Sequence, residues 1–60
     1  MKMKYKFIKD FDLIKIGSTI SIDVYGRYFI DYNHNHTLGI KKKEIKNLLK
    51  QGYIEVSNDN

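Results

Sequence analysis

Residues 17–32 constrain this chain more than any other stretch. They read G-S-T-I-S-I-D-V-Y-G-R-Y-F-I-D-Y. Ile20, Ile22 and Val24 share one parity with Ser21 and Asp23 between them, and Ile30 and Tyr32 resume that parity after a turn. Apolar residues at a period of two mark half-buried strands, so this stretch predicts a β-hairpin. Two registers compete. A two-residue Gly26-Arg27 loop suits a type II′ turn but sets Ile22 opposite Asp31 and Ile30 opposite Asp23. A three-residue loop over residues 26–28 pairs Val24 with Ile30, Ile22 with Tyr32 and Tyr25 with Phe29. It puts every apolar residue on one face, and because a one-residue slip inverts a strand, the face argument favours this register.

The flanking segments extend the sheet. Lys2, Lys4 and Lys6 alternate with Met3, Tyr5 and Phe7, which predicts a first strand with one basic and one apolar face. Its lysines suit an edge that resists further pairing. The parity breaks over Ile8, Lys9 and Asp10, as at a bend or bulge. Residues 11–16, F-D-L-I-K-I, form a second apolar run, either a short strand or an irregular lead-in. After the hairpin, residues 33–37 (N-H-N-H-T) are rich in turn formers. Leu38 and Ile40 resume the even parity, so a five-residue loop would pair Tyr32 with Leu38 and Ile30 with Ile40 in a short strand weakened by Gly39.

Residues 41–51 carry the helical signal. Ile45, Leu48 and Leu49 form an i, i+3, i+4 stripe with Lys43, Lys46 and Lys50 on the other side. Gly52 is placed to end the helix with a positive φ. A helix this short is marginal alone, so its stripe must dock on the sheet. Residues 53–56 alternate as a last strand with Ile54 and Val56 inward, leaving residues 57–60 as a polar tail. Residues 1–56 thus form one small α+β domain: a bent antiparallel sheet, or an SH3-like open barrel of about five strands, with one short helix before the last strand. The lead-in Ile14-Lys15-Ile16-Gly17 before an alternating strand resembles the opening of small SH3-like barrels.

Composition narrows the setting. Ten Lys stand against one Arg, with nine Ile, five Asn and five Tyr and no Ala, Pro, Trp or Cys. Such usage follows AT-rich codons, and the whole chain resembles small proteins of phages and prophages in low-GC Gram-positive bacteria. That resemblance, in composition alone, implies a host-directed or counter-defence binder and no particular functional residue. Without Cys there is no disulfide, thiolate metal site or Cys nucleophile, which fits a cytoplasmic protein. No signal peptide is expected from residues 1–10, which have charges without an apolar core. No apolar run reaches the roughly 20 residues that span a bilayer. About 60% burial at this length leaves a marginal core that a partner surface would supplement.

Catalytic constellations are wanting. His34-Asn35-His36 shares its letters with the HNH nucleases, but there the three residues are spread over a longer ββα metal unit. With only Asp31 nearby as a third ligand, the run reads as a solvated turn rather than a metal site. The carboxylates are scattered, and no Gly-rich phosphate loop or nucleophile elbow occurs. The chain is therefore expected to have no enzyme activity and no cofactor. Two surfaces remain. Lys41, Lys42 and Lys43 crowd a helix N-terminus, already the positive end of the dipole, and with Lys46 and Lys50 they would attract phosphate or carboxylate. Tyr25, Tyr28 and Phe29 are expected beside Arg27 at the hairpin tip, on the outer face, as anchors for a protein or a stacking platform for bases. The leading expectation is a non-catalytic protein-interaction module that binds a protein partner or itself. The alternative is a nucleic-acid-binding small barrel using the helix lysines and tip aromatics.

Overall fold

In the computed structural model, which describes residues 2–33 and 36–57, the alternating runs form strands. They are β1 (Lys2–Phe7), β2 (Thr19–Ile22), β3 (Tyr28–Asn33), β4 (His36–Ile40) and β5 (Ile54–Val56), with the helix α1 (Lys42–Gln51) between β4 and β5. They make one antiparallel sheet in the order β4-β3-β2-β1-β5. The result is an open five-stranded sheet with one helix before the last strand, a small α+β fold. The expected charged edge is not an edge: β1 lies between β2 and β5. The chain returns after α1 to pair Phe7 with Ile54 and Tyr5 with Val56. The edges are instead β4 and the three-residue β5.

One sheet face is apolar, and α1 covers it. Phe7 from β1, Ile20 from β2, Ile30 from β3 and Ile54 from β5 are buried with Ile45 and Leu48 of α1. Tyr5, Tyr28, Tyr32, Ile40 and Leu49 pack around them, half-buried. Fully burying a side chain of this size contributes about 1.5–3 kcal/mol. Between Met3 and Tyr5 the β1–β2 register slips by one residue. This bulge turns both Tyr5 and Phe7 onto the core face. The bend at Ile8 and Lys9 is present as well.

The hairpin register differs from both sequence alternatives. Ile20 pairs with Ile30 and Ile22 with Tyr28, so the connection runs over residues 23–27. Parity is kept, but the chain leaves the sheet at Asp23. The Asp23 carboxylate accepts the backbone N–H of Tyr25 and of Arg27, each at 2.9 Å. Its carbonyl accepts Gly26 N–H at 3.1 Å, and its N–H donates to the Arg27 carbonyl at 2.9 Å. Side-chain capture of nearby N–H groups thus ends the strand two residues before apolar alternation does. Val24 and Tyr25 are left 88% and 79% exposed. The β3–β4 register shifts too: Ile30 meets Leu38 and Tyr28 meets Ile40. His36 and Thr37, expected in a loop, belong to β4. His34 and Asn35 lie outside the described residues.

The β1–β2 connection is the irregular lead-in. Phe11 and Ile14 exchange backbone hydrogen bonds of 2.7 and 2.9 Å around Asp12 and Leu13, and Asp12 sits at φ 57°. Asp10 Oδ1 accepts Ile16 N–H at 2.7 Å. This clasp drives Ile14 into the core while Leu13 and Ile16 stay in solvent.

Helix α1 matches its expected span. Its start has no Ser, Thr, Asp or Asn cap; instead Glu44 Oε1 accepts the backbone N–H of Lys41 at 3.1 Å. That is half of a capping box, and it sets a carboxylate among the lysines. Gly52, at φ 80°, donates to the Leu49 carbonyl at 3.2 Å, and Tyr53 N–H donates to the Leu48 carbonyl at 3.0 Å. This is a Schellman ending, and it drops the chain straight into β5. Ile54 is inward as expected; Val56 is 62% exposed because β5 ends at the sheet's rim.

Candidate functional site

The core does not fill the space between α1 and β4. A groove of about 280 Å³ runs there. Its floor is Ile14, Ile30 and Leu48, the first two presented by the lead-in clasp and by β3. One wall is β4, with Leu38, Gly39 and Ile40; the other is the α1 row Glu44, Asn47 and Gln51. Phe11 completes the lining. Its ring meets Tyr53, which follows the helix, edge-on at 5.0 Å between centroids. The Phe11 end is therefore the helix C-terminal end. Leu38 and Phe11 are 52% and 39% exposed. On the other face of β4, a Cβ at position 39 would meet nothing within 4 Å.

The groove arises from two local facts. Strand β4 pairs with β3 on one side and with no described strand on the other. The apolar stripe of α1 turns Ile45 and Leu48 inward and leaves the polar side chains of Glu44, Asn47 and Gln51 facing β4. The volume sits near the lower end of small-ligand pockets, about 300–1,000 Å³. An open, shallow trough of that size suits side chains from an extended segment. Glu44 is the one ionisable residue in its lining, and its carboxylate is held by the Lys41 N–H.

The sequence-derived site residues fall into separate places. Tyr25 projects from the loop, with the Arg27 guanidinium 5.0 Å from its ring centroid. Arg27 Nε donates to Asp23 Oδ2 at 2.9 Å. Tyr28 is not on the outer face: it pairs with Ile22 and Ile40 and packs against the core, because the shifted register keeps even-numbered residues inward. Phe29 pairs with Ser21 and Gly39 on the opposite face, half-buried. Three rings expected together at the tip therefore lie in three environments. Asp23 and Asp31, which the three-residue register would set opposite each other, are also apart. Asp31 faces Thr19 and Thr37 and accepts the Ser21 hydroxyl at 3.1 Å.

The register brings other candidates together. Tyr28 is the Cα partner of Ile40, so Arg27 and Lys41 follow at the same end of the sheet. Lys41, Lys42 and Lys43 are all exposed there, at the Ile40 end of the groove. Lys46 and Lys50 are exposed further along the helix. Asp23 is held below its ordinary value. The Arg27 backbone N–H lowers its pKa most; partial desolvation opposes this, and the Tyr25 N–H and the Arg27 side chain lower it further. This is loop architecture rather than acid–base machinery.

Among the described residues no group of three or more His, Cys, Asp or Glu could hold a metal ion, and no helix is long and apolar enough to cross a membrane. His36 is exposed, its ring tilted against Tyr32 at 5.9 Å. Comparison with protein-family models, with curated proteins and with solved structures gives no match.

The groove was not foreseen from the sequence, because its lining comes from three separated segments. Two signals pointed toward it: Phe11 in a lead-in with more apolar residues than a loop requires, and β4, whose H-T-L-G-I carries no Lys, Arg, Asp, Glu or Pro. Edge strands usually carry such residues to block pairing.

Proposed function

We propose that this chain is a small non-catalytic interaction module that binds another protein through the groove between β4 and α1. The observation that carries this reading is the juxtaposition of an uncharged edge strand with an open apolar groove. An exposed edge offers backbone donors and acceptors for an added strand, and the trough beside it accepts that strand's side chains. The same surface would bury apolar area that sixty residues leave exposed. The cytoplasm, where a Cys-free chain is at home, is the proposed setting.

The test compares affinity capture by the wild type and by Leu38→Lys, from an extract of source cells, with and without nuclease. Leu38 is 52% exposed, so the substitution places a charge in the groove without emptying the core. A protein retained by the wild type after nuclease treatment and lost with L38K supports the reading. Capture that disappears with nuclease, and with Lys41→Glu and Lys43→Glu but not with L38K, would replace it with nucleic-acid binding. The clustering of Arg27 and Lys41 at one end of the sheet is what would serve that second reading.

A further inference from the structure

The ends of the groove differ, and the difference specifies what fits. Phe11 and Ile14 offer apolar surface at the α1 C-terminal end. Lys41, Lys42 and Lys43 stand exposed at the N-terminal end, where the helix dipole is also positive. Glu44 lies among them, its carboxylate accepting the Lys41 N–H. The ten residues of α1 span about 15 Å at 1.5 Å per residue. An extended chain covers that in four to five residues, at about 3.3 Å each.

From this geometry we infer that the groove takes an extended segment of another protein in which acidic residues precede an apolar anchor by about four to five positions. The inference rests on the protein-docking reading above. Its segment lies antiparallel to β4, the orientation of every pairing in the sheet. Its acidic N-terminal residues meet Lys41, Lys42 and Lys43, its backbone pairs with β4, and its apolar residue seats over Ile14 beside Leu38 and Phe11.

A second copy of this chain fits less well. Pairing β4 with β4 about Leu38 would carry each lysine cluster toward the partner's His36, and β4, His36–Ile40, has no acidic residue. No acidic side chain of the partner strand would answer the lysines. Each chain also carries a formal net charge of +4, so self-pairing adds like charge to like.

The probe is an N-acetylated peptide, Glu-Glu-Thr-Val-Thr-Ile-Thr-Leu, titrated against its Gln-Gln counterpart. Binding is followed by amide chemical shifts of the full chain. The acidic peptide is expected to shift amides of residues 36–43 and to bind about three- to tenfold more tightly, since exposed ion pairs are individually weak. The preference should vanish in 0.5 M salt and in the variant Lys41→Gln, Lys42→Gln, Lys43→Gln, whose fold is checked by its unchanged core resonances. Equal affinity for the two peptides at residues 36–40 would overturn the acidic partner and leave protein docking standing. No shift at residues 36–40 with either peptide would overturn both. Shifts there that grow with protein concentration alone would assign the groove to a second copy and overturn the inference. A single-stranded DNA oligonucleotide that displaces the acidic peptide at equal concentration would assign the lysines to phosphate and overturn it as well.

Discussion

Two glycines, Gly52 at the end of α1 and Gly39 in β4, should respond to the same substitution with opposite signs. Gly52 ends α1 at φ 80°, and the bond from Tyr53 N–H to the Leu48 carbonyl depends on that conformation. An alanine Cβ there would meet no atom closer than Lys9 Nζ at 3.9 Å, the flexible end of a side chain. The cost of Gly52→Ala is therefore backbone strain alone. An L-residue in the left-handed region costs about 1–2 kcal/mol. The smaller entropy of the unfolded alanine chain offsets about 0.4–1 kcal/mol. The net is roughly 1 kcal/mol destabilising, which in a chain of this size lowers the melting temperature by about 4–8 °C. Gly39 has no positive φ, and a Cβ there meets open space. Glycine inside a strand is less stable than alanine by roughly 0.5–1 kcal/mol. Gly39→Ala should therefore leave the melting temperature unchanged or raise it by a few degrees. Thermal unfolding followed by circular dichroism, checked by urea midpoints, reads both. A loss of stability in G39A equal to that in G52A would refute the placement of Gly39 beside open space and of Gly52 as the helix stop.

Further outcomes follow from the same structure. Leu48→Ala, which empties a site 7% exposed, should cost about 2–5 kcal/mol and unfold much of the population at 37 °C, whereas Leu38→Ala on the exposed wall should cost under about 1.5 kcal/mol by urea titration. Replacing Lys41, Lys42 and Lys43 together by Gln should raise stability by a few tenths of a kcal/mol per lysine, since each opposes the helix dipole. Asp23 has a folded-state pKa below its ordinary 3.8, so its contribution is present above that value and is lost as pH falls through the folded pKa. A carbon-detected carboxyl titration should find Asp23 titrating below 3.8. Asp23→Asn should flatten the acid limb of stability against pH.

Periodicity revealed what it physically controls. The parity of Ile20, Ile30 and Ile40, the Ile45–Leu48–Leu49 stripe and the Gly52 stop all follow from local spacing, and all are realised. Register is set by turn chemistry, and there the alternation of Val24 with Ile22 misled. Asp23 gathers the N–H groups of Tyr25 and Arg27 and ends the strand early, which moves Tyr28 from the expected outer face into the core. The place of β1 in the sheet depends on where the chain returns after the helix, a long-range fact invisible in its own alternation of lysines. The groove depends on packing between Ile14, β4 and α1, so no contiguous stretch could announce it.

The central claim is that recognition happens at Leu38 and not at the Tyr25 tip. A photo-reactive benzoylphenylalanine placed at position 38, and in parallel at position 25, tests it in source cells; both positions are more than half exposed. A covalent adduct to one discrete protein from position 38, with none from position 25, is the predicted result. An adduct from position 25 with none from position 38 would contradict the account.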